Sequence, residues 1–113
     1  TKAVGNEEGS VTLTDDDFTQ GKRIESTTGN VPMTTIDSFN YENIDLIKVD
    51  VEGYEMEVLK GAEDTLQNVQ YVMIELNNNT KKYGSSNGKI EQYLKSLGFK
   101  SLIKQWPDQV FHK

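Results

Sequence analysis

One change of hydrophobic period constrains this chain more than any other feature. Ile44-Asp45-Leu46-Ile47-Lys48-Val49-Asp50 is rich in β-branched residues and nearly continuous in apolar character, the pattern of a strand buried on both faces of a parallel sheet. From Glu52 to Leu66 the spacing turns helical. Tyr54, Val58, Leu59, Ala62 and Leu66 form one apolar stripe, while Glu55, Glu57, Lys60, Glu63 and Asp64 face away. Gly61 within that stripe costs about 1 kcal/mol against Ala, so it predicts a bend or a close approach. Val69-Gln70-Tyr71-Val72-Met73-Ile74-Glu75-Leu76 then returns to strand character. A strand, a helical crossover and a second strand place the two strands side by side and parallel.

Downstream, Ile90, Tyr93, Leu94 and Leu97 predict an amphipathic helix ended by Gly98. Phe99 to Ile103 and Val110 to His112 predict two closing strands around Trp106-Pro107-Asp108. Residues 44–113 thus read as a βαβαββ core, and the fold class is α/β with an open sheet. Upstream, residues 1–14 read as a hairpin, Lys2-Ala3-Val4 turning through Gly5 to Gly9 into Ser10-Val11-Thr12-Leu13-Thr14. Residues 15–43 read as a loop, acidic and then dotted with Gly, holding an extended piece at Val31-Pro32-Met33-Thr34 and one helical turn at Thr35-Ile36-Asp37-Ser38-Phe39. At 113 residues the chain has room for one domain.

Charge excludes one class of function. The net charge of −6 with a pI near 4.7 lacks the basic footprint of a nucleic-acid binder. The charge is uneven, −10 over residues 1–65 and +4 over 66–113, but the seven Lys of the second part are scattered and read as a solvated face. No apolar run approaches the roughly 20 residues that cross a bilayer. With no Cys there is no disulfide framework or thiolate metal site. Cysteine usage leaves the compartment open, and the cytoplasm is the favoured expectation.

The candidate site follows from topology. In open α/β sheets ligands bind beyond the carboxyl ends of the strands, and here both central strands end in acids. Asp50 and Glu52 follow the first strand and Glu75 ends the second, so all three could share one sheet edge. Gly53 lets the backbone turn sharply or approach a ligand, and Glu52 sits where its charge opposes a helix dipole. Each acid has a plain architectural reading as well, since carboxylates often cap helices after strands. Carboxylates two residues apart could also share a Mg²⁺ ion. Lys48 inside an apolar strand reads as snorkelling or ion pairing, and His112, the single His, reads as packed or exposed near the end of the sequence.

Taken together, several stretches resemble one family. Ala3-Val4-Gly5, Glu8-Gly9 and Val11-Thr12-Leu13 are followed by Val31-Pro32-Met33-Thr34-Thr35-Ile36-Asp37-Ser38-Phe39. Ile47-Lys48-Val49-Asp50-Val51-Glu52-Gly53-Tyr54-Glu55, Val58-Leu59-Lys60-Gly61-Ala62 and Ile74-Glu75-Leu76 come next, in the right order. The set is similar to the FkbM family of S-adenosylmethionine-dependent methyltransferases. The resemblance implies a Rossmann-like class I methyltransferase sheet and methyl transfer to an oxygen of a small molecule such as a sugar or polyketide. It further implies that Asp50 ends the fourth strand, facing donor and acceptor, with Glu75 ending the fifth. Asp50, Glu52 and Glu75 are then the catalytic candidates, and Asp50 and Gly53 the cofactor contacts. Family members open with a Gly-rich turn after the first strand and an acid after the second, and nothing here matches either. The chain therefore resembles the C-terminal part of such an enzyme, lacking the first two strands, and is expected to be inactive alone. The alternative is a non-catalytic α/β interaction domain that dimerises through its open sheet edge.

Overall fold

The computed structural model describes residues 2–15, 22–77 and 79–113. The strands form two mixed sheets. In the smaller one, β1 (Ala3–Val4) and β2 (Gly9–Asp15) flank a long β3 (Lys22–Thr34), in the order β1-β3-β2. β1 runs parallel to β3, with Ala3 opposite Met33, and β2 runs antiparallel to it. The larger sheet has the order β4-β5-β7-β6, built from β4 (Leu46–Val49), β5 (Tyr71–Glu75), β6 (Lys100–Gln105) and β7 (Asp108–His112). β4 and β5 are parallel, and β7 pairs antiparallel with both β5 and β6.

The helical period resolves into two short helices, α1 (Glu55–Lys60) and α2 (Glu63–Leu66), broken at Gly61. All five residues of the expected stripe are buried, with Tyr54 the most exposed at 6%. A Cβ on Gly61 would overlap the Gly5 carbonyl oxygen and lie 3.2 Å from Thr35 Cβ. The bend and the close approach are therefore one feature, the point where the smaller sheet docks on the helices. α3 (Asn87–Ser96) is capped by the Ser86 hydroxyl, which accepts from the Lys89 N–H at 3.2 Å, and it is followed by Gly98 at φ 94°. Ile90 and Leu94 of α3 join Val72, Ile74 and Phe111 of the larger sheet and Leu59 and Leu66 in one core.

Three expectations need correction. Residues 1–14 do not form a hairpin: β1 and β2 both pair with β3 and not with each other. β3 occupies much of what reads as a loop, of which residues 16–21 lie outside the described residues. Its partners are held by backbone hydrogen bonds, and among its described side chains only Ile24, Met33 and Thr34 are buried, so its apolar pattern is too sparse to read as a strand. Nor is β4 buried on both faces. Val49 is 3% exposed but Leu46 is 52% exposed, because β4 is an edge strand and the sheet buries only one face. Leu46, Tyr71 and Ile103 lie on the uncovered face.

The Thr35-to-Phe39 stretch has a structural task. Asp37 opens a 3-10 turn (Asp37–Phe39), and its carboxylate accepts from the Asp64 N–H at 3.0 Å, the Thr65 N–H at 2.8 Å and the Thr65 hydroxyl at 2.7 Å. It thus satisfies the orphan donors at the start of α2 from a distant segment of chain. Its own N–H donates to the Gly61 carbonyl at 2.9 Å. Among the described residues, no helix is long and apolar enough to cross a membrane.

Candidate functional site

Register brings the acids together. β4 and β5 are aligned with Val49 opposite Ile74, so Asp50 and Glu75 come next at the carboxyl ends of the two strands. Their side chains hydrogen-bond, and this contact is the largest cause pushing Glu75 up to about 7 from its ordinary 4.5. Partial burial and the negative charges of Asp50, Glu52 and Asp108 push the same way. A protonated Glu75 can donate to the Asp50 carboxylate, leaving one negative charge on the pair. Asp108 was not foreseen. It faces Glu75 across the antiparallel β5–β7 pair, and only that pairing, invisible in a linear pattern, puts it beside the other acids. Four carboxylates converge, yet among the described residues no group of three or more acids, His or Cys is arranged to hold a metal ion.

The loop that carries Asp50 is held from beneath. Glu52 and Gly53 both have positive φ, 54° and 106°, a sharp reversal that Gly53 accommodates at no steric cost. One carboxylate oxygen of Glu55 accepts from the Val51 N–H at 3.3 Å and the Gly53 N–H at 3.1 Å. Glu55 does not face away as its helical position suggests; it is 1% exposed, and its second oxygen is buried without a partner. Burial raises its pKa against those hydrogen bonds. The residue is found by asking where the amides of a tight loop go, a question the stripe does not pose. Because the Gly53 N–H is committed to Glu55, Gly53 serves the turn rather than offering its amide to a ligand.

A cavity of about 190 Å³ opens beside Asp50, walled by Ala3, Val4, Leu13, Ile24, Val51 and Tyr54. Its wall is mostly apolar and comes from the smaller sheet and from the loop between β4 and α1. Ligand pockets for whole small molecules run to roughly 300–1,000 Å³, so this cleft has room for part of a small molecule and not for a whole one. A larger cavity, about 510 Å³, lies at the other end of β4, around Tyr41, Ile44 and Asn68. The smaller one is the candidate reaction site, because it sits at the carboxyl ends of parallel strands and is bordered by Asp50. His112 lies at the opposite end of β7 from Asp108, paired with Tyr71. Lys48 is exposed on the uncovered face, opposite Met73.

The shared proton gives a pH signature. A raised pKa means that Glu75 contributes stability fully present below 4.5 and lost as pH rises through about 7. Glu75→Gln mimics the protonated form at every pH. Denaturation between pH 5 and pH 8 should therefore show the wild type losing stability relative to Glu75→Gln, by about 1 kcal/mol after solvent screening. Parallel pH curves for the two proteins would show that the pair shares no proton.

The chain is 40% identical over 57 residues to the hexuronic acid methyltransferase AglP of Haloferax volcanii, an alignment covering 45% of this chain and 24% of that protein. It thus spans about a quarter of the length of the curated relative it matches. No solved structure matches it. The profile of the methyltransferase FkbM domain matches residues 2–101, from β1 through the Asp37 turn and the Asp50 loop to the start of β6, and the chain belongs to that methyltransferase family.

Proposed function

We propose that this chain is the C-terminal portion of an S-adenosylmethionine-dependent O-methyltransferase with a Rossmann-like sheet, acting on a sugar-type hydroxyl. The observation that carries the reading is the Asp50–Glu75 pair at the carboxyl ends of β4 and β5, with Asp50 bordering a cleft walled by the smaller sheet and the loop after β4. The parallel β4–β5 crossover and the antiparallel closing strands support the fold, and the family match supports methyl transfer. A relative named for a hexuronic acid supports a sugar as acceptor over a polyketide.

S-adenosylmethionine, when bound, supplies an activated methyl group. Asp50 fits a hydroxyl at this position: its carboxylate is exposed, and one oxygen can hold and then take the acceptor proton while Glu75 occupies the other. The apolar wall of the cleft orients the acceptor and excludes water. Calorimetry of the whole protein with S-adenosylmethionine tests the reading, with a saturable heat expected. Silence from the whole protein overturns it.

A second reading has its own observation. The outer edge of β4 is unpaired, and Leu46 beside it is 52% exposed, which favours an interaction domain that dimerises edge to edge. A stable dimer by light scattering, with no heat from S-adenosylmethionine, would select it.

A further inference from the structure

We propose that the cavity at the amino-terminal end of β4 is a second binding site, for a neutral pyranose unit of a glycan. It lies at the far end of β4 from Asp50 and is independent of the methyl-transfer reading. At about 510 Å³ it falls within the size range of ligand pockets, roughly 300–1,000 Å³.

Its lining has the two elements that a sugar ring requires. A pyranose carries hydroxyls around its rim and weakly positive C–H groups on its faces. The side chains of Glu42, Asn43 and Asn68 line the cavity, and none of them hydrogen-bonds to another described residue. A carboxylate beside two carboxamides offers acceptors and donors together, the mixture that paired hydroxyls need. Ile44 and Val69 supply apolar contact.

The second element is aromatic. Tyr41 lines the cavity and stacks on Phe39, with ring centroids 5.3 Å apart and an interplanar angle of 12°. The rings are 57% and 49% exposed, a large apolar surface left in water. Stacking fixes their orientation before any ligand arrives, and an aromatic face attracts the positive C–H face of a sugar. The segment is also preset: Asn40 and Asn43 hold left-handed φ values of 52° and 58°, and Asp37 anchors the turn to α2. Sign of charge selects the ligand. Glu42 is in the lining and Asp64 lines the adjoining cavity, with no cation among the lining residues, so an anionic sugar or phosphate is repelled. A Pro-rich peptide also uses aromatic grooves, but a concave cavity with three free polar side chains suits a hydroxylated ring better.

Amide NMR spectra of the whole protein, titrated with cellotriose, maltotriose and mannotriose, test the proposal. Saturable shifts confined to residues 40–44 and 65–69 are expected, and none with glucuronate. Tyr41→Ala, at an exposed position, should keep the melting temperature and weaken binding about tenfold or more. Asn68→Ala should weaken it as well. Absence of saturable shifts with all three neutral sugars overturns the proposal. So does equal binding by Tyr41→Ala, or saturation by a Pro-rich peptide where the sugars fail. Binding of S-adenosylmethionine should be unchanged in Tyr41→Ala, so failure here and failure of the methyl-transfer reading remain distinguishable.

Discussion

Asp50→Ala in the whole protein should lower kcat of the proposed methyl transfer by about 10²–10⁴ while the protein stays folded. The argument is geometric. Asp50 is the one exposed carboxylate that both borders the cleft and hydrogen-bonds Glu75. Its removal takes away the proposed proton acceptor but no core contact, so the melting temperature should barely move. Asp50→Asn is the sharper variant, because it keeps a hydrogen-bonding group of the same shape and removes only the basicity. Loss in both variants identifies a base; loss in Ala alone identifies a positioning group. Undiminished turnover in a folded Asp50→Ala removes this residue from the mechanism and leaves Glu52 and Asp108 as the acids to examine.

The largest effect on stability is expected at Gly61. Its φ is −76°, which any residue adopts, so the constraint is purely one of space. An added Cβ meets the Gly5 carbonyl oxygen, a backbone atom that cannot rotate away. Gly61→Ala must therefore push β1 and its turn off the α1–α2 junction or shift the helices, and either disturbs the Asp37–Gly61 hydrogen bond. The cost is about 3 kcal/mol, or about 10–15 °C in melting temperature for a domain of this size. Gly88→Ala is the control. A Cβ there meets nothing closer than 4.0 Å and sits in the first turn of α3, so it should stabilise by about 0.5–1 kcal/mol. If Gly61→Ala and Gly88→Ala melt alike, the two sheets are not docked as tightly as this junction requires.

Much of the architecture was legible because it depends on local periodicity. The stripe from Tyr54 to Leu66, the α3 face at Ile90 and Leu94, and the cap at Gly98 all follow from side chains a few residues apart. β3 was not legible, since a strand whose only buried apolar residues among the described side chains are Ile24 and Met33 carries little hydrophobic pattern. The same reason explains the misread hairpin: two short strands with alternating residues fit each other on paper, and nothing local reveals a third strand between them. Glu55 was misread because helical phase tells which side a residue occupies but not whether that side carries amides in need of an acceptor.

The sequence alone determined the α/β class, the βαβ crossover and the placing of Asp50, Glu52 and Glu75 at strand ends, because hydrophobic period and chain connectivity act over short separations. Tertiary structure decided the rest: Asp108 as the fourth acid, Glu55 as the hidden anchor, Asp37 as the cap of α2, and the raised pKa of Glu75. Each of these depends on a distance between residues far apart in the chain. Such distances are set by sheet register and by the contact at Gly61, and a linear pattern of apolar and polar residues carries neither.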